Sequence, residues 1–510
     1  TLPAGVTYDA VHHTFTLDPG NAAYQHLAAG QTTVVTVNYG VTDGIVTVPT
    51  AASVSWTITG TNDAPTVSAA LTDTANEGDA AFTRNLLTHA SDVDDGDTLS
   101  VANVSYTVDG GSASGVPPAG ISLSGSTLNI DPAHSSFDHL AFGQSTKIQV
   151  SYDVKDLLGL LVHQTETITI NGTNDAPTVA GPLTDSANEG DAAFSRNLLT
   201  GAADVDDGDI LSVVNVTYKV GTGAASSTAP SGISLTGSTL SIDPTDSSFD
   251  HLGAGQHTTI EVSYDVKDTL GLLIHQTETI TINGVNDAPV MNFDSVAPIE
   301  LGGGVTKVLG VTLSDVDAGT DTFTVTATAD HGTVSTANGQ PLAGSGVQGT
   351  FAEISDIFTG GAVYTPDNAS PTDKVTLTVT DGHGGSDTVN FIFKQFAPGG
   401  VTLDGTAGKD WILSSTGNDV MTGGAGHDNF VFAPSSGHDE ITDFTHGDDK
   451  IDLHMLTGGP TAATIVSWLA TAAESANGGS DTLLHLNGTT DTVLVKGITS
   501  LTASDFILHA

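Results

Sequence analysis

Three aspartates stand nine residues apart in a glycine-rich segment, at Asp410, Asp419 and Asp428, and each follows a glycine by two positions. The stretch 423–431 is Gly-Gly-Ala-Gly-His-Asp-Asn-Phe-Val, which fits the nonapeptide pattern G-G-x-G-x-D-x-U-x in full. In such repeats glycines permit tight turns, aspartates and turn carbonyls face calcium, and the apolar residue fills the core of a parallel β-roll. Because successive half-turns alternate sides, we expect Asp410 and Asp428 to share one side. The segment is therefore predicted to bind calcium.

Further acidic residues follow the nonapeptides within a few short apolar stretches. The additional candidate ligands are Asp439, Asp443 and Asp448. With the nonapeptides, this segment resembles the RTX C-terminal domain of type I secreted proteins, a group that includes serralysin-like proteases and large adhesins. The resemblance covers residues 400–510. It implies calcium-dependent folding outside the cell and a C-terminal export signal that an ABC exporter recognises.

Three elements are expected beyond the nonapeptides. A helix is predicted over Ala462–Ala476 because its apolar residues fall on one face. That face would carry Ile465, Val466, Trp468 and Leu469. Asn487-Gly488 lies between the apolar stretches 483–486 and 492–495 and predicts a hairpin. The final segment, 501–508, fits either a secretion tail or an ordinary terminal strand.

The residues before this segment repeat with a period of 112. Asn-Asp-Ala-Pro occurs at 62–65, 174–177 and 286–289. The block Asp-Val-Asp-Asp-Gly-Asp occurs at 92–97 and again at 204–209. Self-similarity at a fixed period is the signature of a tandem array of structural units. The proline of each Asn-Asp-Ala-Pro segment would stiffen the joint between two units.

Each unit is predicted to be a β-sandwich of about 100 residues. Apolar and polar residues alternate in 147–154 and in 165–170, and clusters of Gly, Asp, Pro and Ser separate such stretches. We therefore expect an all-β chain of tandem Ig- or cadherin-like β-sandwiches, followed by a short parallel β-roll with a small terminal helix and hairpin. The expected domains are a partial repeat over 1–61, repeats over 62–173 and 174–285, a diverged sandwich over 286–397, and the roll with its export domain over 398–510.

The partial repeat matches only the back part of a unit. Leu17-Asp18-Pro19 aligns with Ile130-Asp131-Pro132, and no counterpart of the front strands precedes it. Two explanations remain open. The chain is a fragment of a longer array, or another chain supplies the front strands by β-augmentation.

The acidic blocks of the repeats form a second set of candidate ligands. An EF-hand loop that starts at Asp92 fails, because its sixth position is Asp97 rather than Gly and its twelfth is Asn103 rather than Glu. An Asp-rich turn is the simple alternative. The repeats resemble the VCBS and cadherin-like modules of bacterial RTX adhesins. The resemblance implies that each joint collects calcium from a linker Asn or Asp, a downstream Asp-x-Asp and a late-strand Asp.

By this resemblance, each joint has its own ligand set. The first set is Asn62, Asp63, Asp92, Asp94 and Asp156. The second set is Asn174, Asp175, Asp204, Asp206 and Asp268. The third set is Asn286, Asp287, Asp315, Asp317 and Asp381. Glu77 and Glu189 would match the early glutamate of cadherin modules. Filled joints would bridge adjacent domains and stiffen the rod, whereas empty joints would hold several carboxylates close together.

Composition agrees with cation binding and disfavours several other classes of protein. The chain has 12 Lys and Arg against 59 Asp and Glu, a net charge of −47, so nucleic acid is a poor partner. It has no Cys, which excludes disulfides and thiolate metal sites and leaves calcium as the expected staple. No apolar run of about 18 residues suggests a membrane span. Residues 1–20 lack the positively charged and apolar regions of a signal peptide, so an export signal would lie elsewhere in the chain.

No enzyme is expected. The motifs His-Glu-x-x-His and G-x-S-x-G and the Walker loop do not occur. We expect the stalk and secretion end of an extracellular or surface-associated adhesin of a Gram-negative bacterium, used for cell–cell, surface or biofilm attachment. The alternatives are a surface-layer or filament protein and the non-catalytic end of a type I secreted enzyme. Expected partners are calcium, the type I secretion apparatus, and other copies of the chain or a cell or abiotic surface.

Overall fold

The computed structural model describes residues 1–292, 307–367, 369–394, 399–456, 460–461, 463–486 and 490–508. The chain divides into two compact units. Unit 1 comprises Thr1–Leu183, Asn197–Val216 and Ser263–Thr277, and unit 2 comprises Thr184–Arg196, Thr217–Val262 and Glu278–Ala510. The boundary between them runs through the second of the 112-residue repeats.

Unit 1 begins with the partial repeat and the first full repeat, residues 62–173. The strands of the partial repeat are β1 (Val6–Asp9), β2 (Thr14–Leu17), β3 (Thr32–Val41) and β4 (Thr50–Thr59). Those of the first repeat are β5 (Thr66–Val67), β6 (Leu71–Asn76), β7 (Phe82–Asn85), β8 (Ala90–Ser91), β9 (Ser100–Val108), β10 (Ile121–Ser124), β11 (Thr127–Ile130), β12 (Ser145–Lys155) and β13 (Leu161–Asn171).

The first repeat is a β-sandwich. One sheet has the order β6-β13-β12-β9, in which β6 and β13 are parallel, and the other has the order β10-β11-β7. Alternate residues of β12 and β13 are buried, so the strands predicted from the period-two pattern are confirmed. Tyr152 is fully buried, and its hydroxyl donates to the carbonyl of Leu86 across the core at 2.6 Å. Such a bond satisfies the one polar atom of a large core side chain.

The second repeat, residues 174–285, has the same elements 112 residues later. Its strands are β14 (Thr178–Val179), β15 (Leu183–Asn188), β16 (Phe194–Asn197), β17 (Ala202–Ala203), β18 (Ser212–Val220), β19 (Ile233–Thr236), β20 (Thr239–Ile242), β21 (His257–Lys267) and β22 (Leu273–Asn283). Strand β22 has the same alternating burial as β13. Tyr264 repeats the tyrosine bond by donating to the carbonyl of Leu198 at 2.7 Å.

A buried charge cluster recurs in both repeats. In the first, Glu166 on β13 is fully buried, and both of its carboxylate oxygens lack a hydrogen-bond partner within the described residues. Arg84 pairs with Asp73 at 2.6 Å (Nε–Oδ2) and lies 3.9 Å from Glu166. Burial, and then the charge of Asp73, raise the pKa of Glu166 to about 7. Glu278, Arg196 and Asp185 form the same cluster in the second repeat.

Replacing this buried acid should remove a pH dependence of stability. The folded state keeps the proton of Glu166 up to about pH 7, whereas the unfolded state releases it near the ordinary pKa of 4.5. The unfolded state therefore binds fewer protons between these values, and the free energy of unfolding of the repeat falls by about 3 kcal/mol as pH rises through them. Glu166→Gln should flatten this fall, as measured by chemical denaturation of the full chain in chelator at pH 5 and pH 8. The matched control is Glu261→Gln, an exposed glutamate of the second repeat. Equal pH dependence in wild type and Glu166→Gln would show that the buried acid is not the cause.

The diverged sandwich, residues 286–394, lies in unit 2. Its elements are β23 (Val290–Asn292), β24 (Lys307–Leu309), β25 (Thr312–Ser314), β26 (Phe323–Ala329), β27 (Thr333–Ser335), β28 (Val347–Gly349), α1 (Phe351–Gly360), β29 (Ala362–Thr365), β30 (Thr372–Thr380) and β31 (Ser386–Lys394). Helix α1 begins at a capping box in which Thr350 and Glu353 satisfy each other's backbone N–H groups. Phe358 of this helix is buried in the sandwich core.

The roll, residues 399–508, follows in the same unit. Its elements are β32 (Thr402–Thr406), β33 (Lys409–Leu413), β34 (Val420–Gly424), β35 (Asn429–Val431), β36 (His438–Ile441), β37 (Lys450–Asp452), α2 (Ile465–Ala472), β38 (Ala473–Ala476), β39 (Asp481–His485), β40 (Thr492–Val495), a 3₁₀ turn (Ala503–Asp505) and β41 (Phe506–Ile507). Strands β32, β34 and β36 pair in parallel in one sheet, and β33, β35 and β37 in another. Ile412, Met421 and Phe430 are fully buried in one core. The predicted parallel β-roll and its apolar filling are confirmed.

The terminal helix is shorter than predicted. Ala473–Ala476, expected to be helical, is strand β38 and pairs with β39. Val466, expected on the apolar face, is 73% exposed, whereas Ile465 is buried and Trp468 and Leu469 pack against the roll core. The contacting residues Ile465, Trp468, Leu469 and Ala472 form one stripe along the helix, and Val466 lies about 100° round the axis from Ile465, outside that stripe. Strands β39 and β40 pair antiparallel as predicted, and the Asn487-Gly488 turn and Ala462 lie outside the described residues.

Candidate calcium sites

Each full repeat contains a cluster of three carboxylates, which we call the repeat cluster. In the first repeat it consists of Asp92, Asp97 and Asp156, each with an oxygen within 4.8 Å of the others. Asp92 and Asp97 lie in the loop between β8 and β9, and Asp156 directly follows β12. The loop is tied to Asp156 because Asp97 Oδ1 accepts the N–H of Leu157 at 3.0 Å. Asp204, Asp209 and Asp268 form the same cluster in the second repeat.

The Asn-Asp-Ala-Pro linker is attached directly to this cluster. The side-chain amide of Asn62 donates to Asp156, and the backbone N–H of Asp63 donates to Asp94 Oδ2 at 2.9 Å. Asp94 is itself positioned by a turn in which its N–H donates to Asp92 Oδ1 at 2.9 Å. The second joint repeats the pattern with Asn174, Asp175, Asp204, Asp206 and Asp268. The third does so with Asn286, Asp287, Asp315, Asp317 and Asp381. The ligand sets proposed from sequence are therefore brought together at all three joints.

A second cluster, the joint cluster, unites residues of consecutive repeats. Glu77 of the first repeat, Asp175 of the linker and Asp206 of the second repeat have carboxylate oxygens within 4.8 Å of one another. Glu77 is held in place by the N–H of Thr173, which donates to its Oε1 at 2.7 Å. Burial, then the charges of Asp175 and Asp206, raise the pKa of Glu77 overall, against its bonds to Thr173. Glu77 therefore acts at the joint that follows its repeat.

Glu189 occupies the corresponding place at the third joint. The backbone N–H of Val285 donates to its Oε2 at 3.3 Å. Burial is the main cause of its raised pKa, and the charges of Asp287 and Asp317 add to it. The pKa of Asp315 is raised to about 7, mainly by burial and next by its contact with Asp317. The second joint, with Glu77, and the third joint, with Glu189, thus both hold acids that repel one another in positions where water screens their charges poorly.

The roll arranges its aspartates in two columns. In one column the N–H of Asp410 donates to Asp428 Oδ1 at 3.0 Å, and the N–H of Asp428 donates to Asp449 Oδ1 at 3.1 Å. In the other column the N–H of Asp419 donates to Asp439 Oδ1 at 2.9 Å. Asp410 and Asp428 therefore lie on the same side of the roll, as predicted. Burial is the main cause that raises the pKa of Asp428 and of Asp439 to about 7.

Several buried oxygens of these clusters lack a donor. Within the described residues, no hydrogen-bond partner is present for Glu77 Oε2, Asp92 Oδ2, Asp94 Oδ1, Asp97 Oδ2, Asp204 Oδ2, Asp206 Oδ1, Asn286 Oδ1, Asp315 Oδ2, Asp428 Oδ2 and Asp439 Oδ2. A buried anionic oxygen without a partner costs several kcal/mol. Calcium takes six to eight oxygen ligands and prefers carboxylates and carbonyls. The donor set therefore fits calcium.

Two predicted roll ligands occupy different positions from the columns. Asp443 accepts the N–H groups of Gly423 and Gly424, each at 2.8 Å, at a turn of the preceding coil. Asp448 has a side chain that is 58% exposed and lies 3.7 Å from His427. Its neighbour Asp449 is buried and occupies the column instead.

Sequence reasoning missed four acidic residues at the clusters: Asp97, Asp209, Asp449 and Asp491. Asp97 and Asp209 recur at the 112-residue period inside the acidic block, so the period could have identified them. Asp449 follows Asp428 by 21 residues, outside the nine-residue spacing. Asp491 lies near the second column, where its charge helps to raise the pKa of Asp439. It accepts the N–H of Ser435 at 3.1 Å across 56 residues, a contact that no local pattern indicates.

A hydrogen-bonded Ser, His and Asp also occur on the first repeat. His163 lies 3.2 Å from Ser151 Oγ through Nε2 and 3.2 Å from Asp153 Oδ1 through Nδ1, and Asn103 donates to Asp153 at 2.8 Å. The arrangement recurs at Ser263, His275 and Asp265. The side chain of His163 is 63% exposed on the face of paired strands.

Comparisons with known proteins match two parts of the chain. Residues 286–394 match the Bacterial Ig domain, and residues 402–431 match the RTX calcium-binding nonapeptide repeat (4 copies). The roll is thus similar to repeats that bind calcium. No curated protein matches the chain.

Several cadherin structures show a weak similarity. Protocadherin Gamma B7 extracellular cadherin domains 1–4 are 15% identical, with coverage of 76% of this chain and 89% of that chain and a TM-score of 0.35. Human CDH23 EC21–23 is 13% identical, with coverage of 62% and 97% and a TM-score of 0.33. Drosophila N-cadherin EC1–4 is 12% identical, with coverage of 77% and 90% and a TM-score of 0.25. These scores are too low to assign a function. Among the described residues, no helix has the length and hydropathy needed to cross a membrane.

Proposed function

We propose that this chain is the calcium-stiffened stalk and secretion end of an extracellular bacterial adhesin, and that it is not an enzyme. The observation that supports this proposal is the set of buried carboxylate oxygens without donors, which recurs at the joints and in the roll. Buried carboxylate oxygens that need a cation thus occur both at the joints between sandwiches and in the roll, two structures that are locally unrelated. In a chain without cysteine, a cation is the available cross-link between segments.

At a joint, the chain's own residues supply both sides of the link. Glu77 comes from one repeat, and Asp175 and Asp206 come from the linker and the next repeat. When bound, calcium neutralises these charges and ties the three carboxylates together. Without it, the repulsion among these carboxylates opposes the close contact of the two repeats. The backbone N–H of Asp207, which donates to the carbonyl of His139 at 2.9 Å, then remains as a direct link between them. We therefore expect a stiff joint with calcium and a compliant joint without it.

In the roll, the columns couple folding to the cation. Asp410, Asp428 and Asp449 are stacked and buried, so their like charges destabilise the folded roll unless a cation is present. This property suits a segment that is exported unfolded and folds outside the cell. We propose that the segment after the nonapeptides is the part that a type I secretion apparatus recognises.

A specific observation favours lateral assembly as a second candidate function. The loop between β12 and β13 exposes large apolar side chains directly beside the repeat cluster. Leu157 is 70% exposed and Leu158 is 63% exposed. Exposed apolar residues of this kind mark sites of protein association when they form patches. A surface-layer or filament protein would use them between copies.

Stretching single molecules of the full chain tests the stalk function. We expect calcium to raise the force at which the repeats extend, and Glu77→Gln to lower that force at the joint it serves while each repeat still unfolds as a unit. Glu261→Gln, an exposed charge removal, serves as the control. Equal force curves with calcium and with chelator would contradict the stalk. Ordered fibres or sheets in electron microscopy with calcium would instead support the assembly function.

A further inference from the structure

Strand β31, the last strand of the bacterial Ig domain, is buried on both faces. Val389, Phe391 and Phe393 belong to the core cluster of the Ig domain. Ile392 belongs to the core cluster of the roll. A strand whose two faces are both buried is typical of the interior of a structure, not of a domain edge. The Ig domain and the roll therefore share this strand.

The sharing continues through backbone pairing. Strand β31 pairs in parallel with β33, the strand of the first nonapeptide, from Val389 opposite Lys409 to Phe393 opposite Leu413. The two domains thus contribute to one eight-stranded sheet. Without β31, the first coil of the roll would present an unpaired strand edge, which is unfavourable in a solvated protein. The Ig domain is the cap on which the first coil is built.

Side chains from the roll also fill the core of the Ig domain. Trp411, Leu413 and Val431 belong to the same cluster as the buried residues of the Ig domain. The ring of Trp411 lies 5.9 Å from that of Phe391, centroid to centroid. Successive residues of β33 thus belong to two cores: Trp411 and Leu413 to the core of the Ig domain, and Ile412 to the core of the roll. Loss of the roll would expose part of the Ig core.

Polar contacts connect the shared strand to a calcium column. Asn390 of β31 donates to Thr406 Oγ at 3.1 Å, and Thr406 Oγ donates to Asp410 Oδ1 at 3.1 Å. Lys409 Nζ pairs with Asp387 Oδ2 at 2.6 Å, at the start of the same strand. The first aspartate of the column is therefore oriented by a residue of the Ig domain.

We infer that the bacterial Ig domain and the calcium column of the roll form one thermodynamic unit. Calcium bound by Asp410, Asp428 and Asp449 stabilises the Ig domain, and damage to the Ig core weakens calcium binding by the roll. The inference rests on the proposed binding of calcium by the column, and it adds that the effect of the ion extends into strands that hold no ligand. The coupling is reciprocal: the factor by which bound calcium favours the folded Ig domain is the factor by which unfolding of that domain weakens calcium binding.

Hydrogen exchange of the full chain measures both directions. Strands β26 and β30 of the Ig domain hold none of the column residues and do not pair with the roll strands. We expect calcium to slow amide exchange in these strands by about tenfold or more. Asp428→Asn should abolish this slowing, whereas Asp97→Asn, which alters the repeat cluster, should leave it intact.

The reverse direction uses core variants of the Ig domain. Phe358→Ala removes a buried ring of α1 and should weaken the apparent calcium affinity of the roll, read from exchange in β33 and β35, by about tenfold. Phe358→Leu is the milder variant if the alanine variant does not fold. Leu128→Ala is the matched control, because Leu128 is equally buried but lies in the core of the first repeat.

The outcomes separate this inference from the proposed function. Slower exchange in β33 and β35 with no change in β26 and β30 would overturn the coupling while leaving calcium binding intact. Absence of any calcium effect on β33 and β35 would overturn the proposed function and the coupling together. Slowing in both sets, lost in Asp428→Asn and weakened in Phe358→Ala, is the result we expect.

Discussion

The variant Asp428→Asn is expected to lose calcium-dependent ordering of the roll. Asp428 is central to its column: its Oδ1 accepts the N–H of Asp410, its N–H donates to Asp449, and its Oδ2 lacks a partner within the described residues. Asparagine removes the charge and places a donor or an oxygen of lower charge where the cation would bind. Since even outer-shell substitutions commonly cost 10–100-fold in metal affinity, loss of this ligand should cost about 100-fold or more.

The measurement is a calcium titration of the full chain, followed by hydrogen exchange in peptides from β33 and β35. These peptides report on the roll alone, although the repeats are expected to bind calcium as well. Asp448→Asn is the matched control, because it removes one charge from the same segment at an exposed position outside the column. Equal affinities of wild type and Asp428→Asn would exclude the column as the site.

The variant Asp97→Asn should change the stability of the first repeat in opposite directions with and without calcium. Asp97 Oδ1 accepts the N–H of Leu157, and its buried Oδ2 has no partner within the described residues. Without calcium, the substitution removes one of three clustered negative charges and should stabilise the repeat. With calcium at about 100 times the dissociation constant, it should remove a stabilisation of about 3 kcal/mol.

Amide hydrogen exchange in peptides of β12 measures the stability of the first repeat. These peptides can be told apart from those of β21 in the second repeat, because the two strands differ in sequence. Asp95→Asn is the control, since Asp95 lies in the same loop with an exposed side chain. Asp209→Asn provides an independent repetition in the second repeat. A loss of stability of the same sign in calcium and in chelator would mean that Asp97 serves the fold and not a cation.

The local part of each calcium site was predictable from sequence. The nine-residue spacing identified Asp410, Asp419 and Asp428, because a parallel roll converts a constant spacing into columns. By its local sequence, Asp97 is only the non-glycine sixth position that rules out an EF-hand loop. Its actual partner, Asp156, is 59 residues away, at the end of a strand that pairing brings to the loop. Sites built from distant segments need the sheet register as well as the motif.

The division into domains shows a similar limit. Residues 389–393 are Val-Asn-Phe-Ile-Phe, a run whose apolar residues fall on both faces of a strand. That pattern could have indicated burial on two sides, but it does not identify the second partner. The parallel pairing of β31 with β33 crosses the boundary expected at residues 397 and 398. The early end of the terminal helix has a similar origin, because Ala473–Ala476 pairs with β39 in the sheet, a partner that the local pattern does not identify.

Anomalous diffraction from crystals of the full chain grown in calcium tests the central claim most directly, because it locates the ions. We expect peaks at the repeat cluster of Asp92, Asp97 and Asp156, at the joint cluster of Glu77, Asp175 and Asp206, and along the column of Asp410 and Asp428. A well-ordered structure at saturating calcium with no peak at these clusters would contradict the claim that their buried carboxylates hold the cation.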